Sequence, residues 1–210
     1  MKVIVSILTF LMSFLSGKSY SQPDPAKQRF DEYTKGLNIT EKKQESFESP
    51  EGVVRSYSAI AKDKEIGELP VSAEQIAEIN RAVSYAPKFA EMYAGFTGDV
   101  ITPNVLDVAF KNWKEKRSNS PFDEESVIFV VGAAFGEYCN KHLNMKWVVV
   151  DDEFGQELAI RFVEKVVYGY PFSTVEKRIN TSESGFLVLT FHQLDHSSKQ
   201  TNIQDVETVK

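Results

Sequence analysis

A single cysteine, Cys139, stands in 210 residues. No intramolecular disulfide can form, so the fold has to hold through its core even in an oxidising compartment. Reactive thiols need an accessible, electropositive setting, whereas Cys139 sits in the most apolar helix of the chain and reads as buried and inert. Cationic charge is also scarce: 24 Lys and Arg stand against 30 Asp and Glu, a net charge of −6. With no basic surplus to displace counterions, nucleic acid and anionic membrane surfaces are not expected partners. No internal repeat is visible. No nucleophile, base and orienting group announce themselves as a set, and no cofactor is expected.

The N-terminal apolar run, Val3 to Leu15, falls short of the roughly 20 residues that span a bilayer. Ser16, Gly17 and Lys18 end it. With Lys2 before it and the small residues Ser19 and Ser21 at the positions signal peptidase inspects, residues 1–21 read as an export signal cleaved before Gln22. No Cys follows the run, which excludes a lipid-modified N-terminus. Loss of Lys2 and Lys18 would take the net charge to −8. The expected address is the periplasm or the exterior, with no membrane contact after cleavage.

What is present is a chain of 42% hydrophobic residues, enough for one domain with a sizeable core. Residues 22–71 read as a polar, partly flexible arm, with a short helix around Phe30 and Tyr33 and a loop from Glu41 to Pro50. Val53 to Ala61 suits a short strand or a helical turn. The folded domain is expected over 72–195, with a flexible tail over 196–210. Ser72 and Gln75 form a capping box, and the helix they open should stop before Pro87. A partly buried turn or short helix follows, broken by Gly95 and Gly98. Thr102-Pro103 opens the next helix, whose stripe is Leu106, Ala109, Phe110 and Trp113.

Asp123, with Glu124 and Glu125, caps a central helix that is apolar all round from Val127 to Phe135. Gly132 and Gly136 lie one turn apart on it and imply close packing by a neighbour. After Asn144, Lys146–Val150 is a strand rich in β-formers. The acidic turn Asp151 to Gly155 leads to a returning strand with Leu158, Ile160 and Phe162 on one face. A third strand follows over Val166–Tyr168. Ser173 to Glu176 is a second capping box, opening a short basic helix. Gly185–Leu194 can be strand or helix, the helix being preferred with Ser182 or Ser184 as cap. The predicted class is α+β: a small antiparallel three-stranded sheet packed on one face by three or four helices.

The candidate chemistry is sparse. Asp151, Asp152 and Glu153 cluster oxygens that could hold a divalent cation, though without the alternating ligands of a calcium loop. Arg161, Lys177 and Arg178 could converge as an anion site; partnership with nearby carboxylates is the economical alternative. His142 is three residues from Cys139, and His192 and His196 are four apart, a spacing zinc sites use on helices.

Several spaced positions resemble a known family. They are Ala109-Phe110 and Trp113, then Gly132 and Gly136, Trp147 to Val149, Asp152-Glu153 and Gly155, and Pro171 to Ser173 with Val175, Lys177 and Arg178. The stretch from about Thr102 to Asn180 resembles the bacterial domain-of-unknown-function 3806 family. The resemblance implies a small α+β domain and no established activity. The expected function is an exported soluble binding or interaction module with a protein partner. A hydrolase or metal-dependent enzyme built on the acidic turn and a histidine is the alternative.

Overall fold

The computed structural model describes residues 3–7, 27–28, 30–31, 34–35, 39–49, 52–61, 67–152 and 155–199. They divide into two compact units, Met1–Ile66 and Gly67–Lys210.

The first unit is an antiparallel sheet of β1 (Val3–Ile7), β2 (Ile39–Ser49) and β3 (Gly52–Ala61), in the order β1-β3-β2. Residues 41–49, expected as loop, are therefore strand. Lys42, Lys43, Gln44 and Ser46 are all exposed, so this edge strand has no apolar alternation to read. Its pairing with β3 supplies the order, from Ser49↔Gly52 to Ile39↔Ala61 with a bulge after Ile39. β3 resolves the ambiguity over Val53–Ala61 in favour of strand. Val3–Ile7, part of the segment read as export signal, pairs with β3 from Val3↔Ala61 to Ile7↔Tyr57. Phe30, Tyr57 and Ala59 form this unit's small core, with the Phe30 and Tyr57 rings 5.8 Å apart. Tyr33, expected in the short helix there, lies outside the described residues.

The second unit carries the main core. Its antiparallel sheet has four strands in the order β4 (Gly67–Leu69), β5 (Met145–Asp152), β6 (Gly155–Phe162) and β7 (Tyr168–Gly169). The α+β class stands, with one strand more than expected. β4 is three exposed residues whose pairing, Gly67↔Asp151 to Leu69↔Val149, is set by β5 rather than by any local pattern. The helices pack on one face of the sheet, as expected. Met145, Ile160 and Phe162 join the main core, and on the opposite face Val148, Val150 and Ala159 are also buried.

Among the described residues of this unit, five α-helices follow the expected starts more closely than the expected stops. α1 (Ala73–Ala94) begins at the Ser72–Gln75 capping box, and both reciprocal hydrogen bonds form. It does not stop before Pro87. That proline lies on the exposed side, while Ala86, Phe89, Ala90 and Tyr93 continue the buried stripe of Ile79 and Ala82. Burial of that stripe outweighs the roughly 3 kcal/mol a mid-helix proline costs. Gly95, at φ 63°, ends the helix in the left-handed region. α2 (Pro103–Lys116) is capped by Thr102 and buries Leu106, Ala109, Phe110 and Trp113. The buried Trp113 indole donates to Ser120 Oγ and to the Phe122 carbonyl, each at 3.1 Å.

α3 (Glu124–Leu143) is capped by Asp123, whose carboxylate accepts from the Ser126 amide at 2.8 Å. Its two glycines are notches. A Cβ on Gly132 would stand 2.7 Å from Phe172 Cδ1 and 3.2 Å from the Phe172 backbone Cα. A Cβ on Gly136 would overlap the six-membered ring of Trp147. The Trp147 and Phe172 rings stack at 5.6 Å, and Trp147 Nε1 donates to Glu137 Oε1 at 2.5 Å. α3 therefore grips β5 and α4 (Pro171–Glu176) at once.

α4 starts two residues before the expected Ser173 box. Pro171 takes its first position, and Ser173 Oγ donates to Glu157 on β6 instead of capping. α5 (Phe186–Lys199) is helical, as preferred, and runs into the segment expected as tail.

Replacing Gly132 by Ala tests the notch. On an open helix the change would gain about 1 kcal/mol. Here the new methyl meets the backbone of α4, and overpacking of this kind costs about 1–3 kcal/mol. We expect a net loss of stability by urea titration; a gain would show that α4 stands off from the helix.

Candidate functional site

An open groove of about 460 Å³ runs between α1 and the first two turns of α3. Helical spacing on α1 presents Arg81, Tyr85 and Lys88 to one wall, with Ala82 deeper. The other wall is Glu125, Phe129 and Val130 of α3, with Phe122 closing one end. Ala82, Phe122 and Val130 are buried, whereas Tyr85 is 49% and Phe129 39% exposed. Aromatic side chains left this open beside a furrow are exceptions to the burial of the rest of the core. Phe129 also lies 5.3 Å from Phe172, which joins the groove to the notched seam. Arg81 makes one long contact with Glu78, 3.9 Å, between well-exposed side chains. Lys88 and Glu125 are exposed and have no ion-pair partner among the described residues.

The residues singled out by sequence lie elsewhere. Asp151 and Asp152 end β5, half-exposed, with Asp151 Oδ2 accepting from Gln156 Nε2 at 3.5 Å. Glu153 lies outside the described residues. Among those described, no three His, Cys, Asp or Glu side chains gather as a metal site. Arg161 on β6 pairs with Glu68 of β4 at 3.0 Å. Tyr168 and Lys146 reach the same carboxylate at 3.3 and 3.6 Å. Arg178 is buried, pairs with Glu183 at 3.2 Å and covers the Phe186 ring at 5.2 Å. Lys177 is exposed. The two arginines are thus paired with separate carboxylates, Glu68 and Glu183, which is the economical alternative to an anion site. His142 stacks on Tyr138 at 4.1 Å. Cys139 is fully buried, and burial pushes its thiol well above the usual range. His192 and His196 share α5, both half-buried.

Residues 110–188 match the model of a family described as Domain of unknown function (DUF3806). The match holds α3, the notched seam and the β5–β6 hairpin; the α1 wall of the groove precedes it. A solved structure from Bacteroides thetaiotaomicron VPI-5482 is 10% identical, covering 81% of this chain and 78% of that one, at a TM-score of 0.47. No curated protein matches.

Asp107 of α2 is a residue the pattern reading passed over. Its carboxylate accepts from the Leu187 amide at 3.1 Å through both oxygens and from the Val188 amide at 2.9 Å. It therefore caps α5 from another helix, in place of Ser182 or Ser184. Burial pushes its carboxyl from 3.8 up to about 7, against the pull of those amides and of Arg178. Lys114, on the same helix, donates to the Thr181 carbonyl at 2.9 Å and the Glu183 carbonyl at 3.1 Å. Between pH 3.8 and about 7 the folded chain holds a proton that the unfolded chain has released. Stability should therefore fall as pH rises through that window. Asp107→Asn, neutral throughout and still an acceptor, should flatten the slope in urea titrations. A slope that survives in the variant assigns the titration to another group.

Proposed function

We propose that this chain is an exported, soluble interaction module that receives a protein partner in the groove between α1 and α3. The observation that carries the reading is the groove itself, with Tyr85 and Phe129 open beside an apolar floor. The export pattern of residues 1–21 supports the address, periplasmic or outside the cell. No helix among the described residues is long and apolar enough to cross a membrane. Cleavage before Gln22 would carry β1 away and leave β3 paired through β2 alone.

The module is favoured over a hydrolase because two of the candidate catalytic groups, His142 and Asp151, are engaged with different partners. His142 stacks on Tyr138 near the C-terminal end of α3, and Asp151 sits beside Gln156 in the hairpin.

Two measurements test this reading. Intact mass of the exported chain should begin at Gln22; recovery of the full-length chain from the cytoplasm alone removes the address. Affinity capture from the native compartment should yield a saturable protein partner that Tyr85→Glu abolishes. A partner retained at full strength by that variant places binding elsewhere.

A further inference from the structure

The groove has a shape and a charge order of its own, and these name the partner's chemistry. On α1 the residues along it are Glu78, Arg81, Ala82, Tyr85 and Lys88, which recur at helical spacings of three and four. Tyr85 stays open while Ala82 is buried. On α3, Glu125, Ser126, Phe129 and Val130 line it one turn apart in pairs, with Phe129 open and Val130 buried. Two adjacent helices with this spacing leave a furrow into which the ridge of a third helix fits. Arg81 and Lys88 flank the furrow on the α1 side, two turns apart, which is about 10.5 Å along the axis. Lys88 has no ion-pair partner among the described residues, and Arg81 only its long contact with Glu78, a carboxylate that lines the same wall one turn further from Lys88. Glu125 marks the α3 side with the opposite charge.

We infer that the groove takes an amphipathic helix of a partner protein, with an apolar stripe, carboxylates seven residues apart along one flank and a cation on the other. The inference rests on the module reading above. The apolar stripe covers Tyr85, Phe129 and the floor; the carboxylates meet Arg81 and Lys88; the cation meets Glu125. A second copy of this chain fits less well, because it opposes one concave surface with another and brings a further net charge of −6. Charge pairs at such a rim decide which helix binds and in which direction more than how tightly it binds.

The test uses the full chain and two labelled synthetic peptides of about three heptads with the same leucine stripe. One carries Glu at positions seven apart facing α1 and Lys on the other flank; the second has the charges exchanged. By fluorescence anisotropy the matched peptide should bind about tenfold tighter than the exchanged one. The preference should shrink as salt is raised. Arg81→Glu with Lys88→Glu, both exposed, should leave the circular dichroism spectrum unchanged and reverse the order. Equal binding of the two peptides, or an order unchanged in the double variant, overturns the inference. So does a dimer in sedimentation that the double variant dissolves, since a second copy then fills the groove. If neither peptide binds while the Tyr85-dependent capture persists, the helix is rejected and the module stands; if the capture also fails, both are rejected.

Discussion

The structure depends on one steric fit. α3 lacks two side chains, at Gly132 and Gly136, where α4 and the Trp147 ring come against it. Each absence admits a large group: Phe172 at the first, Trp147 with Pro171 at the second. Their rings then stack on each other, so helix, strand and short helix close round a single aromatic pair. The Trp147 indole N–H, which would be costly to bury unpaired, finds Glu137 on the helix it packs against. This fit sets the position of β5, and the ladder from Met145↔Phe162 to Asp152↔Gly155 carries it to β6. Close packing of this kind can hold a domain without crosslinks, because interiors at crystal-like density lose contacts steeply when separated.

The opposite end of the core is held by polar groups instead. Asp107 caps α5, Lys114 gathers the carbonyls of the loop before it, and Arg178 lies over Phe186 while paired with Glu183. The Asp107 and Lys114 contacts join residues 67 to 81 apart in sequence. Together they satisfy backbone groups that the α4–α5 connection would otherwise bury without partners. The carboxylate that caps α5 is also a buried acid whose proton affinity burial raises, so the attachment of this helix and the response to pH come from the same atoms.

The parts of this architecture that were legible in sequence are those governed by neighbours along the chain. Ser72, Thr102 and Asp123 cap the helices they were expected to cap, because a cap is a matter of three or four residues. The glycine pair announced close packing, and alternation at Leu158, Ile160 and Phe162 announced β6. Features decided by distant contacts were not legible. Pro87 lies inside a helix because the buried stripe runs past it. Ser173 bonds Glu157 rather than capping, since α4 is positioned by the seam. β4 and β2 are exposed strands ordered by their partners, and composition showed only polarity. The groove was illegible for the same reason. Its walls come from two helices about 40 residues apart, and Tyr85 and Phe129 each look like ordinary core residues until both are seen uncovered. Arg161 and Arg178 looked like anion ligands because their carboxylate partners, Glu68 and Glu183, stand on segments the local pattern left unassigned.

The steric fit can be measured through its coupling. Gly136→Ala and Trp147→Phe, alone and together, form a double-mutant cycle read by urea denaturation. Phenylalanine removes the part of the indole that a methyl on residue 136 would strike. Gly136→Ala should therefore be at least about 1 kcal/mol less damaging in the Trp147→Phe background than in the natural sequence. Costs that simply add, within about 0.5 kcal/mol, would mean that helix and strand do not meet at this notch, and the account of how the chain holds together would fail.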